Sequence, residues 1–151
     1  MMYTKILVPT DGSPCSDRAI HEAVRLAGAL GAQVTFVCAL NVLAVLGDGL
    51  VTAGEIIDTM RKEATHTVTR AAEVARKAGV VAKGEIVEGE PAQEIVRRAS
   101  DFDLVAMGSH GKGFLKRLVL GSVTQTVLLR IDRPVLVINC KEHPASGPAP
   151  A

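Results

Sequence analysis

Residues 3–14 read Tyr3-Thr4-Lys5-Ile6-Leu7-Val8-Pro9-Thr10-Asp11-Gly12-Ser13-Pro14, and this stretch decides the fold. Tyr3 to Pro9 is a short β-branched and aliphatic run, the pattern of a buried strand. Thr10 to Pro14 is a turn into a helix. Ser13 is placed to cap the first free N–H groups, and Pro14 suits the first helical position. Ile20, Ala23, Val24, Ala27 and Leu30 then recur at helical spacing, and Gly31 stops the helix.

The same alternation continues outward. Val34 to Leu40 is a second apolar run, followed by a Gly-containing loop (Gly47, Gly49, Gly54). Ile57, Met60, Ala64, Val68, Ala71, Ala75 and Ala78 mark a long amphipathic helix ending at Gly79. Lys83 to Glu88 is a charged strand of the kind found at a sheet edge. Pro91 opens a third helix carrying Ile95, Val96 and Ala99, and Leu104 to Met107 is a fully apolar strand. Val123, Val127 and Ile131 define a fourth helix, and Val135 to Cys140 the last strand. Five strands separated by four helices predict a single α/β domain over residues 1–142. Its parallel sheet carries helices on both faces. The Pro/Ala/Gly-rich residues 143–151 are expected to form a disordered tail. In such sheets ligands sit beyond the carboxyl ends of the strands, so the loops after the first and fourth strands are the places to search.

Composition narrows the function. The chain has 151 residues, enough to bury a core without a metal or disulfide staple. Its net charge of +1 gives no general electrostatic reason to bind nucleic acid or a membrane. Aromatics are 3% of residues, too few for a base-stacking platform. Three cysteines, Cys15, Cys38 and Cys140, lie far apart with no CxxC, which suggests reduced thiols in a cytosolic setting. Cys38 and Cys140 sit in strand-like runs as small buried residues. No apolar run is long enough to span a bilayer, so a soluble cytoplasmic protein is expected.

The fourth loop carries the most chemistry: Met107-Gly108-Ser109-His110-Gly111-Lys112-Gly113, continuing to Gly121-Ser122-Val123-Thr124-Gln125. Its glycines let the backbone approach a ligand and turn N–H groups inward as an anion nest. Ser122 with Gln125 fits a capping box, and the helix end behind it suits a phosphate. Lys112, Lys116 and Arg117 add positive charge, although such a trio also makes an ordinary solvated face. His110, flanked by glycines, lies at the ligand edge or is simply a loop histidine. Asp11 ends the first strand, where its carboxylate can serve a ribose or an adenine amino group, or close an Asx turn. GxGxxG, Walker A and HExxH patterns are all missing. The four histidines are scattered, and no nucleophile–base pair or metal-ligand spacing is present.

These residues resemble the ATP-binding branch of the universal stress proteins. The spacing Gly108-x2-Gly111-x9-Gly121-Ser122 is similar to that branch's nucleotide signature. Ile6 to Ser13, Gly89-Glu90-Pro91 with Ile95, Asp103 to Gly108 and Arg133 to Val137 resemble other segments of the family in order. The resemblance spans about residues 2 to 141. It implies strand order 3-2-1-4-5. It also implies adenine and ribose near Pro9, Thr10, Asp11 and Ala39 (a position usually held by Val), with Met107 beside them. Phosphates are implied on Gly108, Gly111, Gly121, Ser122, Val123 and Thr124. The expected ligand is ATP, ADP or AMP, with Mg²⁺ accompanying the phosphates. The expected role is nucleotide-dependent regulation in a stress response. The alternatives are a slow ATPase or nucleotidyl transferase, although the HxGH and SGGxDS adenylation motifs are absent, and an interaction module without nucleotide. The fifth strand, Val135-Leu136-Val137-Ile138, carries no charge. An apolar edge of this kind predicts a homodimer paired through it, as the resemblance also implies.

Overall fold

The computed structural model describes residues 3–47, 51–111 and 120–140. The apolar runs form five parallel strands: β1 (Lys5–Pro9), β2 (Gln33–Leu40), β3 (Ala82–Glu88), β4 (Leu104–Gly108) and β5 (Val135–Ile138). Their order in the sheet is β3-β2-β1-β4-β5, as expected. Five helices connect them: α1 (Pro14–Leu30), α2 (Val42–Gly47), α3 (Ala53–Lys77), α4 (Pro91–Ala99) and α5 (Ser122–Arg130).

Side-chain parity divides the core into two faces. Ile6 and Val8 of β1, Val34 and Phe36 of β2, and Leu104 and Ala106 of β4 point to one face. There they meet Ala19, Ile20, Ala23 and Ala27 of α1 and Ala71 and Ala75 of α3. The intervening Leu7, Val37, Val105 and Met107 point to the other face, against Ala92, Ile95 and Ala99 of α4 and Val127 of α5. Each fully buried aliphatic side chain contributes about 1.5–3 kcal/mol of transfer free energy. Strands buried on both faces therefore carry mostly apolar residues, buried Thr35 of β2 being an exception.

Several local signals act as read. Ser13 accepts from the Ser16 N–H at 3.2 Å, and Pro14 is the first helical residue of α1. Gly31 ends that helix at φ 67°, a left-handed conformation costly for other residues. β3 is an edge whose Glu85 pairs with Lys83 and Arg98. Other details differ. The segment read as a loop between β2 and the long helix contains α2, whose side chains are not buried, and the start of α3. Val42 packs partly buried against the small cluster of Cys38, Leu40, Ala64 and Val68, while Leu43 and Leu46 stay exposed, so periodicity alone did not single the segment out. Residues 112–119, with Lys112, Lys116 and Arg117, and the tail at 143–151 lie outside the described residues.

Asp103 ties the starts of β1 and β4 together. It accepts from Thr4 N at 2.8 Å, Lys5 N at 2.9 Å and Thr4 Oγ1 at 3.0 Å. These bonds, the two backbone donors foremost, hold its carboxyl below the ordinary range. A depressed carboxylate stabilises the fold above its unfolded pKa, near 4, and the contribution fades as pH falls through the folded value. Asp103→Asn is therefore expected to lower the urea midpoint at neutral pH, with the deficit closing below about pH 4. An equal deficit at neutral and acid pH would rule out the charged bond network as its cause.

Candidate functional site

The carboxyl ends of β1, β2 and β4 open into a cleft of about 340 Å³. Its floor is the end of β1 and the following turn, Pro9, Thr10 and Asp11. The Thr10 N–H donates to the Val37 carbonyl at 2.8 Å, which carries the parallel ladder to the cleft's edge. Thr10 Oγ1 and Ser16 Oγ share a buried hydrogen bond of 2.6 Å, fixing the first turn of α1 beside it. Asp11 Oδ1 accepts from Ser13 N at 2.9 Å, closing an Asx turn. The side chain thus serves the turn while still lining the cleft.

The wall on the β2–β3 side is apolar: Val37 and Ala39 of β2, Val87 of β3, and Pro91 and Ile95 of α4. One carboxylate, Glu94, interrupts it. Its side chain is 13% exposed and its Oε2 lies 3.0 Å from Arg97 Nη2, in an ion pair. That oxygen makes no hydrogen bond.

The opposite wall is mostly backbone: Met107 and Gly108 of β4, His110 and Gly111 of the loop, and Gly121 to Thr124 opening α5. Each glycine stands where a side chain would collide. A Cβ on Gly108 would lie 2.6 Å from Cys15 Sγ, and one on Gly121 3.0 Å from His110 Cα. A Cβ on Gly111 would run into the Asp11 carboxylate. None of the three has a positive φ. At Gly108, Gly111 and Gly121 the space of a side chain is taken by neighbouring protein atoms, which by itself requires glycine.

The entrance to α5 also differs from the expected capping box. Gly121, not Ser122, is the N-cap, and no side chain caps the helix. Gln125 instead donates its Nε2 to Leu120 O at 2.8 Å. The helix begins one residue early because Gly121 N is anchored on Ser109 O at 2.7 Å. The N–H groups of Ser122, Val123 and Thr124 thus lie in the first turn, where no intrahelical acceptor exists. The Thr124 hydroxyl is spent on the Gly108 carbonyl at 2.9 Å, leaving its N–H as the group that can serve a ligand.

All twelve residues singled out in the sequence line this cleft: Pro9, Thr10, Asp11, Ala39, Met107, Gly108, His110, Gly111, Gly121, Ser122, Val123 and Thr124. Ser16, Val37, Val87, Pro91, Glu94 and Ile95 complete it. Val37 was findable, since it shares strand parity with Ala39. Glu94 was not, because an acidic residue in a helical first turn reads as a favourable dipole partner.

The cysteines require a correction. Cys15 and Cys140 form a disulfide, with Cα atoms 5.4 Å apart, and Cys38 is a buried thiol outside that bond. The expectation of three reduced thiols failed because the sequence separation of 125 residues hides a spatial contact. The order β1-β4-β5 brings the end of β5 under the first turn of α1. Among the described residues, no group of three or more His, Cys, Asp or Glu could hold a metal ion. No helix there is long and apolar enough to cross a membrane.

Comparison with known proteins gives consistent matches. The model of the Universal stress protein family matches residues 2–139. Universal stress protein MJ0531 of Methanocaldococcus jannaschii is 34% identical over 141 residues, covering 91% of this chain and 83% of that protein. The solved structure of MJ0577, from the same organism, superposes with a TM-score of 0.86 at 31% identity, covering 95% of this chain and all of the other. A universal stress protein from Archaeoglobus fulgidus, solved in complex with dAMP, gives a TM-score of 0.67 at 27% identity, covering 91% and 99%.

Proposed function

The chain belongs to the universal stress protein family, and from that premise we propose that its cleft binds an adenine nucleotide, ATP or its ADP and AMP forms. The observation that carries the reading is the uncapped entrance of α5. Gly121 offers no side chain, so the first-turn N–H groups face the cleft beside Gly108 and Gly111. Such an end attracts phosphate through its dipole and its unsatisfied donors. Phosphates sit on Gly108, Gly111, Gly121, Ser122, Val123 and Thr124, with His110 at their edge. Adenine and ribose occupy the apolar side, against Pro9, Thr10, Asp11, Ala39 and Met107. The dAMP complex of the Archaeoglobus fulgidus relative supports a nucleotide of this class. Mg²⁺ accompanies ATP through the phosphate oxygens. The bound state regulates partner interactions in a cytoplasmic stress response. Hydrolysis is slow: the His110 ring at the phosphate edge already engages the Cys140 carbonyl at 3.3 Å, and the nearby Asp11 carboxylate is engaged in its turn with the Ser13 N–H.

Base preference tests the assignment. Glu94 presents a carboxylate on the apolar wall, where it accepts from an adenine amino group and repels the carbonyl oxygen of guanine. Calorimetry is expected to give tighter binding of ATP than GTP, by tenfold or more, about 1.4 kcal/mol. Glu94→Gln, which can also donate, narrows that ratio. Equal affinity for the two nucleotides in the wild type would reject the placement of the base.

The assembly proposed is a homodimer through β5. Leu136 on this edge is 39% exposed, and among the described residues the strand's outer backbone groups have no neighbour in the sheet. An uncovered apolar edge promotes aggregation, and a two-fold copy pairing antiparallel covers it. Light scattering on the full chain and on residues 1–142 is expected to give a dimer for both. A dimer lost with the tail would assign the contact to residues 143–151, and a monomer throughout at micromolar concentration would end the proposal.

A further inference from the structure

We propose that Cys15 and Cys140 form a reversible thiol–disulfide exchange site whose partner is a small thiol of the glutathione type. We further infer that the cleft reads its state. The second part rests on the nucleotide-binding reading above; the first does not.

The two sulfurs differ in a way that suits exchange. Cys15 is 2% exposed, whereas Cys140 is half-buried just past β5. Cys15 is also the second residue of α1, where the helix dipole and first-turn N–H groups favour a thiolate. A small thiolate therefore attacks Cys140 Sγ. The S–S bond breaks, Cys140 becomes a mixed disulfide, and Cys15 leaves as the stabilised thiolate and takes up a proton. A second small thiolate attacks the mixed disulfide on its own sulfur and releases Cys140. Two small thiols are oxidised to their disulfide, and the protein disulfide gains two electrons and two protons. The reduced state has a place for the new thiol: the carbonyl oxygens of Ile138 and Cys15 lie 3.3 and 3.5 Å from Cys140 Sγ. The Cys140 thiol is therefore not orphaned on reduction. Disulfides found in reducing compartments are mostly of this transient, redox-responsive kind.

The bond sits against the phosphate wall. Gly108 has no room for a Cβ because Cys15 Sγ fills that space. Cys140 N donates to Ser109 Oγ at 3.2 Å, and Cys140 O lies 3.3 Å from His110 Nε2. Ser109 O in turn anchors Gly121 N, the start of α5. The disulfide thus pins residue 140, and through these bonds the loop that positions the helix entrance, to the first turn of α1. Without it, the loop keeps its hydrogen bonds to residue 140 and to the Ile138 carbonyl but loses the covalent link to α1, and the ligand must order what that link had already ordered.

The test equilibrates the full chain in glutathione buffers from fully oxidised to millimolar reduced. Thiols are then counted by alkylation and mass spectrometry, and ATP affinity is measured by calorimetry in each state. One alkylated cysteine, Cys38, is expected on the oxidised side and three on the reduced side, with ATP binding about tenfold weaker when reduced. Cys140→Ser should match the reduced wild type and be insensitive to the buffer. A bond that survives millimolar reduced glutathione, or never forms in oxidised glutathione, would overturn the exchange site. Affinities equal within twofold in the two states would overturn the coupling. If neither state binds ATP, the nucleotide reading fails while the thiol count still decides the exchange site.

Discussion

Gly111→Val is expected to remove ATP binding, lowering affinity at least a hundredfold, about 2.7 kcal/mol. The loops after β1 and β4 meet here through the Asp11 side chain, and any Cβ at 111 runs into its carboxylate. Asp11 cannot simply rotate away, because its Oδ1 closes the turn on the Ser13 N–H. The substitution therefore pushes the loop outward or breaks that turn. Either movement disturbs both ends of the proposed nucleotide site, phosphate at Gly111 and ribose at Asp11. Gly121→Val acts on the same wall, where the obstruction is the His110 backbone, 3.0 Å from a new Cβ. Calorimetry on variants whose circular dichroism matches the wild type measures the effect. A Gly111→Val affinity within threefold of wild type would show that the phosphates lie elsewhere.

The strands were legible because burial on two faces leaves few polar positions, so each central strand is a largely apolar run in which Thr35 of β2 is the buried polar interruption. The starts of α1 and α4 were legible because Pro14 and Pro91 occupy the one helical turn that tolerates them. The α5 entrance was misread by one residue. Ser122 and Gln125 satisfy the local pattern of a capping box, but Ser109, thirteen positions upstream of Ser122, supplies the bond that sets the helix start. The disulfide was illegible for the same reason on a larger scale: contact between residues 15 and 140 exists only after the sheet order is formed. The described residues singled out in the glycine loop line the cleft. What the sequence did not show is that Gly108, Gly111 and Gly121 also make room for neighbouring protein atoms, Cys15, Asp11 and His110. Local chemistry is written in short windows of sequence, while the partners that redirect it come from distant strands.

The second large effect is on stability. Phe36→Ala is expected to cost about 3–5 kcal/mol, a large share of the roughly 5–15 kcal/mol that a domain of this size has. Phe36 is fully buried in β2 and is the largest of the completely buried side chains. The helices above it present mainly alanines, Ala19, Ala23 and Ala27 from α1 and Ala71 and Ala75 from α3. Those short side chains let the helices lie close to the sheet, but they cannot extend into a vacated space. The neighbour of Phe36 in β3 is Gly84, which has no side chain to offer. A Cβ there would meet Val68 of α3 at 2.8 Å, so the helix is already in contact and cannot settle further at that point. The cavity therefore stays open, and the cost falls at the upper end for a large-to-small change. Phe36→Leu, which keeps most of the volume, should cost under about 1.5 kcal/mol. Urea midpoints of the two variants separate packing from hydrophobicity. A Phe36→Ala loss below about 1 kcal/mol would mean that α1 and α3 can collapse onto the sheet. Because Val37 and Ala39 follow on the same strand and line the cleft, such a collapse would also appear as weakened ATP binding in the folded variant.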